Sequence, residues 1–414
     1  RAAARRGAPR ATSPLTRGAA RLTTTTPESG AAVLEAIKSL SLNVADTAPP
    51  ALGQIAWTPT SAELKAELQR RPRGAILPSA SSTDLPDPFA LVRDETAQLS
   101  RGMLDLVKTD HPLLSAAASH FFALDGGKKF RGAMVLLIAK AIGDESAFPR
   151  QQRLAEIVEM IHTASLFHDD VIDGASTRRG VASGNAKFGD KVAILAGDFL
   201  LARACVALAR LRDLDVVEIL ATVIEHLVRG EISQMRPGLV DGEDRLAAYL
   251  SKNFYKTGSL MANSCRAAAM LADTRNSSER MSRAVADAAF RYGRHVGLAF
   301  QLVDDVLDFR ETDGTLGKPA LNDLRQGLAT APTLLAARKH PGVLEPLIAR
   351  RFALPGDVDA AVDVVRQSDA IQEALDLAIV QAELAVEAIR EHLAPSAPRD
   401  ALEHLAVKVV HRTH

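Results

Sequence analysis

Between Ile157 and Gly180 the chain reads IVEMIHTASLFHDDVIDGASTRRG. An apolar run with helical spacing carries His162, then Asp169, Asp170 and Asp173, then adjacent guanidinium groups at Arg178 and Arg179. At 3.6 residues per turn Asp169 and Asp173 share one helical face about 6 Å apart, and like charges at that spacing weaken a helix. A bound cation would offset that repulsion. Carboxylates with water and phosphate oxygens form the hard-oxygen shell that Mg²⁺ takes. A single cluster of this kind is explained as well by a solvated acidic helix end. A second copy changes the balance: in GLAFQLVDDVLDF, Asp304, Asp305 and Asp308 repeat the spacing, with Gln301 one turn earlier. Facing each other, the two clusters would hold several Mg²⁺ ions over one diphosphate.

Cationic residues punctuate the same region. GGKKFR, residues 126–131, places Lys128, Lys129 and Arg131 where paired glycines give way to a helix. Such a junction binds anions through side chains and first-turn amides, although a helix cap with solvated lysines reads the same way. FYKTGSL sets Lys256 and Thr257 within a helical stretch, and LGKP sets Lys318 in the loop after the second cluster. Each alone is compatible with ordinary surface. Six carboxylates and at least five separated cations are more than one phosphate requires and match two diphosphates.

The elements that must position these groups are helices. From Asp87 onward apolar residues recur at three and four spacing, and the rhythm returns over 131–142, 153–168, 189–211, 213–229, 244–272, 281–308 and 360–391, without strand alternation. Ala and Leu abound, whereas aromatics make up only 4% of 414 residues, which favours an all-α bundle. Lys plus Arg and Asp plus Glu balance at 50 each, so no global field attracts nucleic acid. Cys205 and Cys265 lie in apolar helical runs and predict core packing, with no disulfide framework. The longest apolar run is broken by Asp198 and Arg203, so no membrane span is expected. Residues 1–27 carry six arginines and no acid before Glu28, the composition of an organellar transit peptide. The first residue is Arg rather than Met, so the natural start is expected upstream. Residues 28–86, broken by Pro49, Pro50, Pro59, Pro72 and Pro78, read as a poorly ordered connector holding one or two short helices. The catalytic domain is then 87–414.

From about residue 120 to the end, the chain resembles the trans-isoprenyl diphosphate synthases, most closely the long-chain polyprenyl diphosphate synthases of mitochondrial ubiquinone biosynthesis. The resemblance rests on GGKKFR, SLFHDDVIDGASTRRG, GDFLLARA, GEISQ, YKTGSL, FQLVDDVLD and LGKPALNDLRQGLATAP, in that order. It implies an isoprenoid synthase-type helical bundle with a central metal and diphosphate cavity, and Mg²⁺ as cofactor. It also implies that an allylic diphosphate and isopentenyl diphosphate are condensed, in a homodimer or a hetero-oligomer with a related subunit. The mitochondrial matrix is the expected compartment, with peripheral contact to the inner membrane compatible with it.

The same resemblance assigns Asp169, Asp173 and Asp304 to Mg²⁺, with Asp170, Asp305 and Asp308 completing the metal set. Arg178, Lys256 and Lys318 would contact the allylic diphosphate. Lys128, Arg131, His162 and Arg179 would bind isopentenyl diphosphate, and Thr257 and Gln301 would line the region where the allylic cation forms. Three positions depart from the family: Lys129 stands where Arg is usual, Gly132 where Pro is usual, and Gly258 where Ala is common. Chain length is read on the helix entering the first cluster, where Ala164 and Ser165 are small and Ile161 is not aromatic. That predicts a product longer than geranylgeranyl diphosphate, unless the small pair only permits close helix packing. Competing readings are a non-catalytic regulatory subunit, a shorter-chain geranylgeranyl diphosphate synthase, and a terpene cyclase on the same fold. The intact aspartate clusters disfavour the first, and the paired basic motifs disfavour the last.

Overall fold

The apolar segments of the sequence become helices that pack on one another, as positions recurring at three and four spacing require. A computed structural model of the chain describes residues 61–74, 76–77, 85–124, 129–178, 180–235, 245–272, 279–310 and 321–412. In chain order the helices are α1 (Ser61–Leu68), α2 (Pro88–Leu91), α3 (Arg93–Leu106), α4 (Pro112–Leu124), α5 (Phe130–Ile142), α6 (Phe148–Ile172), α7 (Gly184–Phe188), α8 (Asp190–Ala209), α9 (Leu214–Met235), α10 (Arg245–Asn253), α11 (Ser259–Met270), α12 (Glu279–Arg310), α13 (Asn322–Arg325), α14 (Ala331–Lys339), α15 (Pro341–Ala349), α16 (Asp357–Gln367), α17 (Ala370–His392) and α18 (Ala397–Val410). Among the described residues the remaining regular structure is a π turn at Phe254–Gly258 and a short antiparallel ladder, Thr177–Arg178 on Val181–Ala182. The all-α reading therefore holds.

Helices α6 and α12 carry the two aspartate clusters at their C-terminal ends. Helix α6 buries Leu154, Ile157, Val158, Met160, Ile161, Ala164 and Phe167, and it packs on α5 and α8. Helix α12 packs between α11 and α17. The α11 contact is close because α12 presents glycines: a Cβ on Gly293 would lie 2.5 Å from the Met261 carbonyl oxygen, and one on Gly297 would lie 2.7 Å from Gly258 Cα. The Tyr292 hydroxyl donates to the Leu402 carbonyl at 2.8 Å, fixing α18 across α12.

Besides Cys205, which is exposed although core packing was expected of it while Cys265 is buried, two larger sequence expectations change. Part of the connector expected to be poorly ordered is a docked element: Leu64 of α1 is buried, and Glu67 pairs with the buried Arg294 of α12 at 2.8 Å. The Arg73 and Gly74 amides donate to the Glu383 carboxylate of α17 at 2.8 to 3.0 Å. A charge buried at Arg294 requires a partner, and α1 supplies it. Second, α8 is, by length and composition, long and apolar enough to cross a membrane, so Asp198 and Arg203 do not interrupt it as the sequence reading held. One face, with Ala193, Ala196, Leu200 and Ala204, is buried; Ile194, Leu195 and Val206 are exposed. The segment expected to be a transit peptide, 1–27, lies outside the described residues.

Candidate active site

The first aspartate triplet closes α6, and its members part company. Asp170 is buried and accepts a bidentate pair of bonds from Arg178, with Nε at 2.9 Å from both carboxylate oxygens and Nη2 at 2.6 Å. Its own carbonyl accepts from Asn185 Nδ2 and from the Ala175 amide. Asp170, expected in the metal set, holds Arg178 and the turn after α6 in this structure. The physical reason is helical phase, since Asp170 is rotated about 100° from Asp169 and faces the interior. Asp169 is partly exposed and Asp173, the C-cap, is exposed.

The second triplet divides in the same way. Asp305 is buried on α12 and accepts from the Tyr249 hydroxyl, the Ala331 amide at 3.2 Å and Gln301 Nε2 at 3.2 Å. Burial pushes its carboxyl up to about 6 against these hydrogen bonds. In this structure Asp305 serves the packing of α12 on α10 and α14. Asp308 is partly spoken for as well: its carboxylate accepts the Asn322 and Asp323 amides at 3.0 and 3.3 Å, capping α13. Asp304 is half exposed and pairs with Arg412 at 2.5 Å, while the Arg412 guanidinium stacks 3.7 Å from the Phe300 ring centroid.

Between the clusters lies the π turn Phe254–Gly258, which interrupts what the sequence predicted as one helix over 244–272. A π turn is rare and recurs at functional sites because the wider turn re-aims side chains. Here it presents Lys256 and Thr257. Lys256 Nζ reaches Glu231 of α9 at 2.7 Å. Thr257 Oγ1 donates to Gln301 Oε1 at 3.2 Å, and Gln301 Nε2 in turn donates to Asp305. Asp305 thereby fixes the amide orientation, leaving the oxygen of Gln301 toward Thr257.

Of the expected basic group, Arg131 and His162 come together, with Nη1 3.0 Å from Nε2. Because a guanidinium can only donate, this ring nitrogen accepts and the imidazole proton sits on Nδ1. Gly132 departs from the family's usual Pro for a visible reason. Its amide donates to Glu159 at 2.6 Å, and a Cβ there would lie 2.8 Å from Leu99 Cδ1. Lys128, Arg179 and Lys318 lie outside the described residues.

The donor chemistry fits a divalent cation. Burial pushes the Asp169 carboxyl up to about 6, with Lys256 opposing and Glu231 and Asp173 adding to the shift. Its carboxylate is thus held partly out of water in the company of Asp173 and Glu231, hard oxygens of the kind a divalent ion takes. Among the described residues no three His, Cys, Asp or Glu side chains are grouped to hold an ion unaided. Diphosphate and water oxygens would have to complete any shell, as at other Mg²⁺ phosphate sites.

Residues 111–365 match the sequence profile of the polyprenyl synthetase family. The chain belongs to that family. This synthase is an enzyme, a trans-prenyltransferase. It is 46% identical over 330 residues to a prenyl transferase of Synechocystis, covering 79% of this chain and 98% of that protein. It is 38% identical over 400 residues to a protein of Yarrowia lipolytica described as "Probable hexaprenyl pyrophosphate synthase, mitochondrial", covering 80% and 86%. Among solved structures, a polyprenyl synthase from Caulobacter crescentus, described as complexed with calcium and isoprenyl diphosphate, superposes with a TM-score of 0.70 at 33% identity, covering 81% of this chain and all of that one.

In the synthase, the three residues expected to set chain length separate by exposure. Ala164 and Ile161 are in the core, whereas Ser165 is partly exposed and its hydroxyl donates to the His162 carbonyl at 2.8 Å. Three residues at the site were missed from sequence: Glu231, Tyr249 and Arg412. Glu231 stands inside the quoted GEISQ motif, so a signal was present. Tyr249 and Arg412 meet their aspartates only through folding.

Proposed function

We propose that this synthase extends an allylic diphosphate by successive isopentenyl diphosphate units to a long-chain trans-polyprenyl diphosphate, the side-chain precursor of ubiquinone. The single observation that carries the site assignment is the π turn, which sets Lys256 beside the first aspartate cluster and Thr257 on Gln301 beside the second. Mg²⁺ fits the acidic residues left facing the site: Asp169, Asp173 and Asp304 would hold it, and when bound it supplies a sink for charge as the C1–O bond breaks. Lys256 and Arg178 bind the allylic diphosphate and stabilise it as it leaves with the bonding pair. Arg131 and His162, with Lys128 and Arg179, seat the diphosphate of isopentenyl diphosphate and orient its double bond on C1. Thr257 and Gln301, joined through Oγ1 and Oε1, would line the region where the electron-poor allylic carbon forms. A new C–C bond forms as the alkene attacks C1. Loss of the C2 proton of the added unit to the departed diphosphate restores a double bond, so no side-chain nucleophile is required.

The mitochondrial matrix is the compartment that fits the arginine-rich, acid-poor residues 1–27 and the naming of the Yarrowia relative. The exposed apolar residues Ile194, Leu195 and Val206 of α8 and Val228, Ile232 and Met235 of α9 suit a second copy of the chain. Purified protein given Mg²⁺, farnesyl or geranylgeranyl diphosphate and labelled isopentenyl diphosphate should yield a ladder ending at one long polyprenol by mass spectrometry after dephosphorylation. Termination at geranylgeranyl would establish the shorter-chain reading, and no incorporation by folded protein would refute both. Light scattering on that preparation should give twice the chain mass; a monomer would reject the dimer.

A further inference from the structure

We propose that Glu231 is a positioning residue for prenyl transfer, acting through Lys256. The inference rests on the assignment of Lys256 to the allylic diphosphate made above. The Glu231 carboxylate lies 2.7 Å from Lys256 Nζ, and the two side chains are only 12% and 25% exposed. A pair so withdrawn from water is not the loosely held kind found on surfaces.

Backbone packing explains how Glu231 gets there. Its neighbour Gly230 lies against the π turn, where an added Cβ would meet Lys256 N at 2.8 Å and Lys256 Cα at 3.0 Å. Only glycine lets α9 come this near, and the next residue then reaches the end of the lysine side chain. An ammonium on a four-carbon stem is otherwise free to swing, with three donors and no fixed plane. Glu231 takes one donor and leaves two directed elsewhere. Asp169 and Asp173 both lie in the field of Lys256 and of Glu231. A lysine satisfied by Glu231 has less reason to collapse onto those two carboxylates, whose oxygens stay available. Glu231 so serves the lysine's position and the acidity of the site together.

The test compares E231Q, K256M and the double variant, with steady-state kinetics for both substrates, thermal melts, and calorimetric titration of inorganic diphosphate in the presence of Mg²⁺. E231Q should lower kcat about tenfold or more, weaken diphosphate binding, leave KM for isopentenyl diphosphate within about twofold, and melt within about 2 °C of wild type. In the K256M background E231Q should add nothing, because its effect passes through the lysine. Should E231Q fail to fold, E231D and E231D/K256M provide the same comparison. If K256M is impaired while E231Q keeps wild-type kcat, the inference fails and the role of Lys256 stands. A full additional loss in the double variant also overturns it. Wild-type kinetics for K256M would overturn the underlying assignment of Lys256 instead.

Discussion

His226 of α9 is held so tightly behind the catalytic turn that its protonation is coupled to folding. It is buried, its Nδ1 lies 2.7 Å from Ser259 Oγ, and its ring meets Tyr255 edge-on at 5.1 Å. Burial pulls its pKa down to about 4, from the usual value of 6.5. Between those values the unfolded chain binds a proton that the folded one does not, so stability rises with pH there. The contribution is complete above about 6.5 and is lost as pH falls through about 4. H226N should therefore flatten the dependence of melting temperature on pH across this window relative to wild type; parallel curves would show that His226 does not titrate this way. The aspartates were half legible at this scale. The i,i+4 spacing correctly paired Asp169 with Asp173 on one face, but the same helical geometry turns Asp170 and Asp305 inward, and counting carboxylates by motif ignored it. Glu231 could not be placed from sequence because its partner arrives from a separate helix.

Helix α6 does three tasks along its length: it packs the core, seats His162 and delivers the aspartates. The residues one turn before Asp169, Ala164 and Ser165, are small, and Ser165 is the partly exposed one of the two. S165F should shorten the products seen by radio-thin-layer chromatography, and an unchanged distribution would sink the chain-length reading. A164F should shorten them too, at a stability cost of about 1–3 kcal/mol, because Ala164 is fully buried and a larger side chain must displace its neighbours. Helix boundaries were legible within a few residues over 131–142, 189–211 and 281–308, but the run 360–391 is two helices, α16 and α17, parted at Ser368 and Asp369. The π turn was not legible, since a widened turn depends on what packs around it: Gly230, Gly258 and Gly297 supply that closeness, and their spacing announces nothing locally.

At the scale of the molecule, residues expected to form a linker are part of the bundle. Glu67 of α1 neutralises Arg294, Gln381 Nε2 donates to Glu67 at 3.2 Å, and His295 Nδ1 lies 2.8 Å from Gln381 Oε1. This polar network sits on the same helix that ends in the second aspartate cluster, so α1 braces a catalytic element. Proline spacing suggested a connector because proline marks breaks without revealing what lies between them. The exposed apolar faces of α8 and α9 were equally opaque, since periodicity tells how much of a helix is apolar but not which side meets a partner.

The most direct test of the site is a Mg²⁺ titration of isopentenyl incorporation, with thermal melts, for D169N and D305A. On the proposed function the outer aspartates serve Mg²⁺ and substrate while the middle ones build the scaffold, so D169N should lose about 100-fold or more in rate, need more Mg²⁺ and melt like wild type. D305A strands the Tyr249 hydroxyl and the Ala331 amide, each worth about 1–3 kcal/mol, and should melt several degrees lower while its Mg²⁺ requirement, measured below its melting range, stays put. A D305A enzyme that melts normally and shifts its Mg²⁺ requirement as far as D169N would contradict this division of labour.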